Sequence, residues 1–317
     1  MKLALVGPGI MSIPPVGWGA VEMMLWDYYN ILKSNGVEVA IINTPDRNKI
    51  IDDVNSNNYD VVHIHYDVFS DILPFLKSKI VIISSHYPFI NDREKYSQDG
   101  FHGIFNKIVK QKNAYIFASS QKDINTFLDA GVEGERLFHS KLGVDSTSYD
   151  FNEISEFDKT ICFSQIVNRK RQYIIQNIND IDFFGKYSDS NFDLKNYKGE
   201  IDRGQLNKII TKYANFILIS SIENTTPLVV KEALVCGLGV VVSESVAVEL
   251  DLSKPFITVI KESDINNEEI IKQALEKNKK ESVYRRSEIR KYGISNFDLS
   301  SILINQYLKK LEQLLIK

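Results

Sequence analysis

The residues best suited to chemistry lie in Ile219-Ser-Ser-Ile-Glu223-Asn-Thr-Thr-Pro-Leu-Val-Val-Lys-Glu232-Ala-Leu-Val-Cys-Gly237-Leu-Gly239-Val-Val-Val-Ser243. The pattern reads as a strand, a loop carrying one carboxylate, a helix carrying a second, a glycine cap and another strand. Pro227 suits the first helical turn, and the backbone amides from Leu228 onward would face an anion placed there. A carboxylate accepts paired hydrogen bonds from sugar hydroxyls, so Glu223 and Glu232 beside an anion site point to a sugar and a phosphate held together.

A second group is cationic. Gln165-Ile-Val-Asn-Arg169-Lys170-Arg171 follows the apolar run Thr160–Ser164, and three consecutive cations at a strand end suit a phosphate-bearing ligand. A solvated charge run is an equal alternative. His86 directly follows the strand ending at Ser85, where a polar side chain points into a ligand cleft, although a loop hydrogen bond would explain it too. Gly17-Trp18-Gly19 precedes a helix, so its backbone can approach an anion at the helix N-terminus, or can simply turn with positive φ; the phosphate reading is preferred. Gly7 and Gly9 begin a dinucleotide fingerprint that Ser12 breaks, which argues against NAD. His63 and His65 share one face of a strand, and with no matching Asp, Glu or Cys pattern they read as sheet-end residues rather than metal ligands.

Two series of βα units must position these groups. Strands are expected at Leu3–Val6, Val37–Ile42, Asp60–His65, Lys79–Ser84 and Ala114–Ser119, with helices at 21–33, 103–112 and 121–130. After the polar segment 145–158, strands at Thr160–Ser164, Asp182–Phe184, Phe216–Ser220 and Gly239–Val242 alternate with helices at 171–178, 205–213 and 229–236. The expected architecture is α/β: two Rossmann-like domains facing a cleft, residues 1–148 and 149–297. A tail helix over 298–317 carries an apolar stripe and packs back on the first domain.

Composition narrows the class. The 317 residues hold 38 Lys+Arg against 41 Asp+Glu, a net charge of −3, which argues against a nucleic-acid binder. Cys162 and Cys236 lack metal or disulfide spacing and read as small buried hydrophobes in a reducing compartment. No run approaches the roughly 18 apolar residues of a membrane span, so the expectation is a soluble, cytoplasmic chain.

In this order the motifs resemble the family-four, retaining, GT-B-type glycosyltransferases. The resemblance runs through Pro15-Val-Gly-Trp-Gly-Ala-Val-Glu22, Asp60-Val-Val-His-Ile-His65, His86, Leu142-Gly-Val-Asp145, Arg169-Lys170 and Tyr197-Lys-Gly-Glu-Ile201 to the two-glutamate segment. It implies a nucleotide-sugar donor, a glycan, glycolipid or protein-linked acceptor, no metal and no other cofactor. It implies His86, Lys170 and Glu223 as catalytic residues. Gly17 and Gly19 would pack on the diphosphate, Lys170 with Arg169 would neutralise it, and Ile201 would line the base. Glu223, Asn224, Thr225, Thr226, Pro227, Leu228 and Val229 would hold sugar and phosphates, and Glu232 the ribose. Two departures stand out: Gln165-Ile166 replaces an expected Arg, and the glutamates are nine positions apart where eight is usual. They make a nucleotide-sugar-binding protein that has lost catalysis one alternative; another GT-B enzyme, a nucleotide-sugar epimerase, is the other.

Overall fold

A computed structural model of the chain describes residues 1–17 and 19–316. It divides into two compact units, 1–142 with 299–317, and 143–298. The first unit ends at Leu142, short of the expected 148, because the next residues bond within the second. Val144 bridges to Asp298, the Val144 N–H donates to Phe297 O, and Ser146 Oγ donates to Asp298 Oδ1 at 2.6 Å.

The first unit carries a six-stranded parallel sheet in the order β2-β1-β3-β4-β5-β6. Its strands are β1 (Lys2–Val6), β2 (Glu38–Ile42), β3 (Val61–Ile64), β4 (Ile80–Ile83), β5 (Ala114–Ala118) and β6 (Leu137–His139). Its helices are α1 (Ala20–Ser34), α2 (Arg47–Asn57), α3 (Arg93–Gln98), α4 (Phe101–Lys110) and α5 (Gln121–Asp129). Helix α2 was not foreseen, since its sequence is polar; Asp46 starts it by accepting from the Asn48 and Lys49 amides. Alternation along the strands sorts the core onto two faces. Ala4, Val6, Val62, Ile64, Val81 and Ile83 pack on one side, and Leu3, Leu5, Val61, Ile80, Ile82 and Phe117 on the other.

The tail belongs to the second of these faces. Leu299, Leu303, Tyr307 and Leu311 are buried there against α1 and the sheet. A spacing of four drifts about 40° per repeat on an α-helix, so the stripe would wander off the sheet. The chain corrects this by widening: residues Leu303–Leu308 wind as a π-helix between α-helical Leu299–Ile302 and Lys309–Ile316. Each buried Leu contributes about 1.5–3 kcal/mol.

The second unit holds β7 (Thr160–Phe163), β8 (Ile181–Phe184), β9 (Asn215–Leu218), β10 (Gly239–Ser243) and β11 (Ile257–Ile260), all parallel, in the order β11-β10-β9-β7-β8. The helices are α6 (Gln172–Ile175), α7 (Arg203–Ile209), α8 (Leu228–Val235), α9 (Glu268–Tyr284) and α10 (Arg286–Phe297). Helix α6 is one turn long, not the eight residues expected. Helix α10 packs on α8 through Gly293, where a Cβ would lie 2.6 Å from the Leu234 carbonyl carbon. No helix among the described residues is long and apolar enough to cross a membrane.

Candidate functional site

In a parallel sheet the ligand crevice opens where strand order reverses, beyond the carboxyl ends of the strands. In the second unit that point falls between β7 and β9. The turn after β7 (Asn168–Lys170) and the turn after β9 (Ser220–Glu223) meet there. The Ser221 amide donates to Arg169 O at 2.7 Å and the Ser221 hydroxyl at 3.0 Å. In return Arg169 Nη1 donates to Glu223 Oε1 at 2.6 Å and to Ile222 O at 3.2 Å. Arg169 is therefore engaged with Glu223, with about a third of its side chain exposed.

Lys170 is the cation left over. It is half-buried, and its ammonium forms no hydrogen bond or ion pair among the described residues. Burial pushes its pKa down; the charges of Glu223 and Glu232 oppose that shift, and Arg169 adds to it. Both glutamates are thus electrostatic neighbours of one ammonium, nine positions apart or not. Arg171, next in the chain, takes left-handed backbone (φ 56°) and pairs with Glu262 at 2.5 Å.

Glu232 sits in α8 within a network that the sequence did not reveal. Arg203 Nη2 donates to Tyr149 Oη at 3.2 Å, and the Tyr149 hydroxyl donates to Glu232. Burial raises the Glu232 pKa, with Arg203, Tyr149 and Lys170 holding it back. Pro227 caps α8 with extended backbone instead of lying in its first turn, and supplies no side-chain acceptor. The Leu228 and Val229 amides therefore have no intrahelical partners. Asn224 is buried, and the Thr225 and Thr226 side chains turn inward. Thr225 Oγ1 donates to Glu249 Oε2 at 2.7 Å and Thr226 Oγ1 to Val246 O at 3.2 Å. Ile201 is half-buried, in the loop that returns to the carboxyl end of β8, where Gly185 N–H donates to Gly199 O at 3.1 Å.

In the first unit order reverses between β1 and β3. Gly17 has φ 86°, so the turn reading of the glycine loop applies there. Trp18 lies outside the described residues. Gly19 caps α1, and a Cβ on it would lie 2.8 Å from Oε2 of buried Glu22, so a carboxylate already stands at this helix N-terminus. His63 near the end of β3, His65 just beyond it and His86 beyond β4 form a row of imidazoles, with His65 stacked on His86. The His63 and His65 ring centroids are 3.8 Å apart, and His65 Nδ1 is 3.4 Å from His86 Nε2.

One hydroxyl fixes a tautomer. Ser84 Oγ gives its single proton to Phe117 O at 2.8 Å, so at 2.9 Å it must accept from His63 Nε2–H. His63 Nδ1 is then bare and accepts from Tyr307 Oη at 3.0 Å. Burial lowers all three histidines, His86 to about 4, so all are neutral at neutral pH. Tyr307 stood in the expected apolar stripe; only its pairing across 244 residues was hidden. Among the described residues no group of three or more His, Cys, Asp or Glu is arranged to hold a metal ion.

Two Rossmann-like units, each with a parallel sheet and the candidate groups near its carboxyl edge, define the GT-B class of fold. Solved structures agree over the full length. HepE of Anabaena, determined with UDP and glucose, matches with a TM-score of 0.74 and 16% identity, covering 99% of this chain and 100% of that one. Sucrose-phosphate synthase of Thermosynechococcus elongatus matches at 0.77 with 12% identity over 100% of both chains. WaaG, a glycosyltransferase involved in lipopolysaccharide biosynthesis, matches at 0.65 with 13% identity, covering 98% of this chain and 99% of that one. No family model matches the sequence, and no curated protein matches it.

Proposed function

We propose that the protein is a retaining, metal-independent glycosyltransferase that moves a sugar from a nucleotide-sugar donor to a hydroxyl of a glycan, glycolipid or protein-linked acceptor. The observation that carries this reading is Lys170, an unpaired, desolvated cation beside two carboxylates at a sheet switch point. A diphosphate suits that place. Lys170 and the Leu228 and Val229 amides face its charge, while Glu223 and Glu232 accept hydrogen bonds from hydroxyls of the sugar and the ribose. Ile201 and its loop line the base. Unit 1, with neutral His86, is assigned to the acceptor side.

In the reaction the acceptor oxygen bonds to the anomeric carbon as the bond to the phosphate oxygen breaks on the same face. The acceptor proton passes to the departing oxygen. Negative charge grows on the diphosphate, and Lys170 with the start of α8 stabilises it. Arg169, donating to Glu223 Oε1, keeps that carboxylate aimed and so acts on the donor through it. The complexes of HepE with UDP and with UDP-glucose make UDP the nucleotide to try first.

The test is release of UDP from UDP-glucose in EDTA, with and without acceptor sugars, by the wild type and Lys170→Ala. Turnover should fall by two or more orders of magnitude in the variant, about 3 kcal/mol of transition-state stabilisation. Near-wild-type turnover would sink the assignment of Lys170. Binding of UDP without any turnover would favour the lapsed binding protein.

A further inference from the structure

Lys231 is an unexpected residue for its place. It lies on the inner side of α8, between Val230 and the Ala233–Val235 run, and is fully buried. Its ammonium lies 5.2 Å from the centroid of the Phe297 ring and 2.9 Å from Glu249 Oε2. The same oxygen accepts from Thr225 Oγ1 at 2.7 Å, and the Glu249 amide donates to Thr226 Oγ1 at 3.1 Å. So the loop leading into α8 is stitched from beneath to the turn after β10. The stitch ends on a buried charge of the helix that this loop starts.

A buried ion pair is a weak source of stability, because well-packed apolar residues of similar volume do as well or better. What the pair does here is supply a fixed acceptor under Thr225. With Thr225 and Thr226 drawn down and buried, the loop delivers the half-buried start of α8, Leu228 and Val229, in a fixed position between Glu223 and Glu232 in the chain.

We propose that Lys231 and Glu249 are positioning residues for the donor diphosphate: their buried ion pair anchors Thr225 and thereby sets the amides at the start of α8. The inference rests on the reading of this site as a nucleotide-sugar site. Neither residue touches the donor; they act through the loop.

The test separates anchoring from both stability and charge. Lys231→Met with Glu249→Met removes the anchor while leaving the net charge unchanged and the interior filled with apolar groups of similar size. UDP binding to the full chain is measured by calorimetry at a temperature where circular dichroism shows the variant folded. Anchoring requires the Kd for UDP to rise at least fivefold although the melting temperature is kept. A smaller change in a folded variant overturns the proposal and leaves the function reading untouched. Should the double variant not fold, Thr225→Val cuts the same anchor at one hydrogen bond and is judged by the same fivefold criterion. Failure of the wild type to bind UDP at millimolar concentration overturns the proposal together with the nucleotide-sugar reading.

Discussion

Replacing Tyr307 by Phe tests how the tail is tied to the first sheet. The change removes one oxygen and keeps the ring, which stacks on His63 at 5.7 Å between centroids and meets Tyr28 and Phe117 edge-on. Because Ser84 has already given its proton to Phe117 O, His63 cannot turn its Nε2–H elsewhere without stranding Ser84. Its Nδ1 is therefore left as an unsatisfied acceptor in a residue 1% exposed. That costs about 1–3 kcal/mol, with little loss of packing. For a unit of this size 1 kcal/mol moves the midpoint by roughly 2–4 °C, so about 2 kcal/mol corresponds to roughly 4–8 °C. Differential scanning calorimetry and urea unfolding monitored at pH 7.5 would read it. An unchanged midpoint would refute the assigned tautomer and the hydrogen bond, since nothing else distinguishes the two side chains there.

Acid should weaken the first unit through His86. Its pKa is lowered from 6.5 to about 4, so between those values the unfolded chain takes up a proton that the folded chain refuses, and stability falls as pH falls. The full loss is at most about 3 kcal/mol. Comparing urea midpoints of wild type and His86→Gln at pH 7 and 4.5 isolates it from Asp67 and Glu232, whose raised pKa values act in the opposite direction in both proteins. Parallel behaviour of the two would count against it. At Gly293, Ala brings a methyl to 2.6–2.7 Å of the Leu234 carbonyl and must push α10 off α8. A loss of about 1–3 kcal/mol in the second unit is expected, and wild-type stability would show that the helices part without cost.

What the sequence settled on its own is what local pattern controls. Fully buried parallel strands need near-continuous apolar runs, and β1, β4, β7 and β10 were legible for that reason. The Asn35-Gly36 stop of α1 follows from the left-handed turn that Gly36 supplies at φ 80°. Lys170, Glu223 and Glu232 could be named as candidates because strand ends and the helices that follow them are where such sheets gather ligands. What escaped was whatever depends on a partner far along the chain. Helix α6 shrinks to one turn despite its helical spacing. Arg169, one of three adjacent cations, is the one that closes on Glu223, and Lys170 is the one left open. Thr225, Lys231 and Glu249 become a unit only when the turn after β10 lies under the loop after β9. Tyr307 meets His63 only because the tail returns to the first sheet with its winding widened. Periodicity reports which face of an element is apolar, whereas the choice of polar partner is made by the strand order and by packing between elements, which only the folded chain contains.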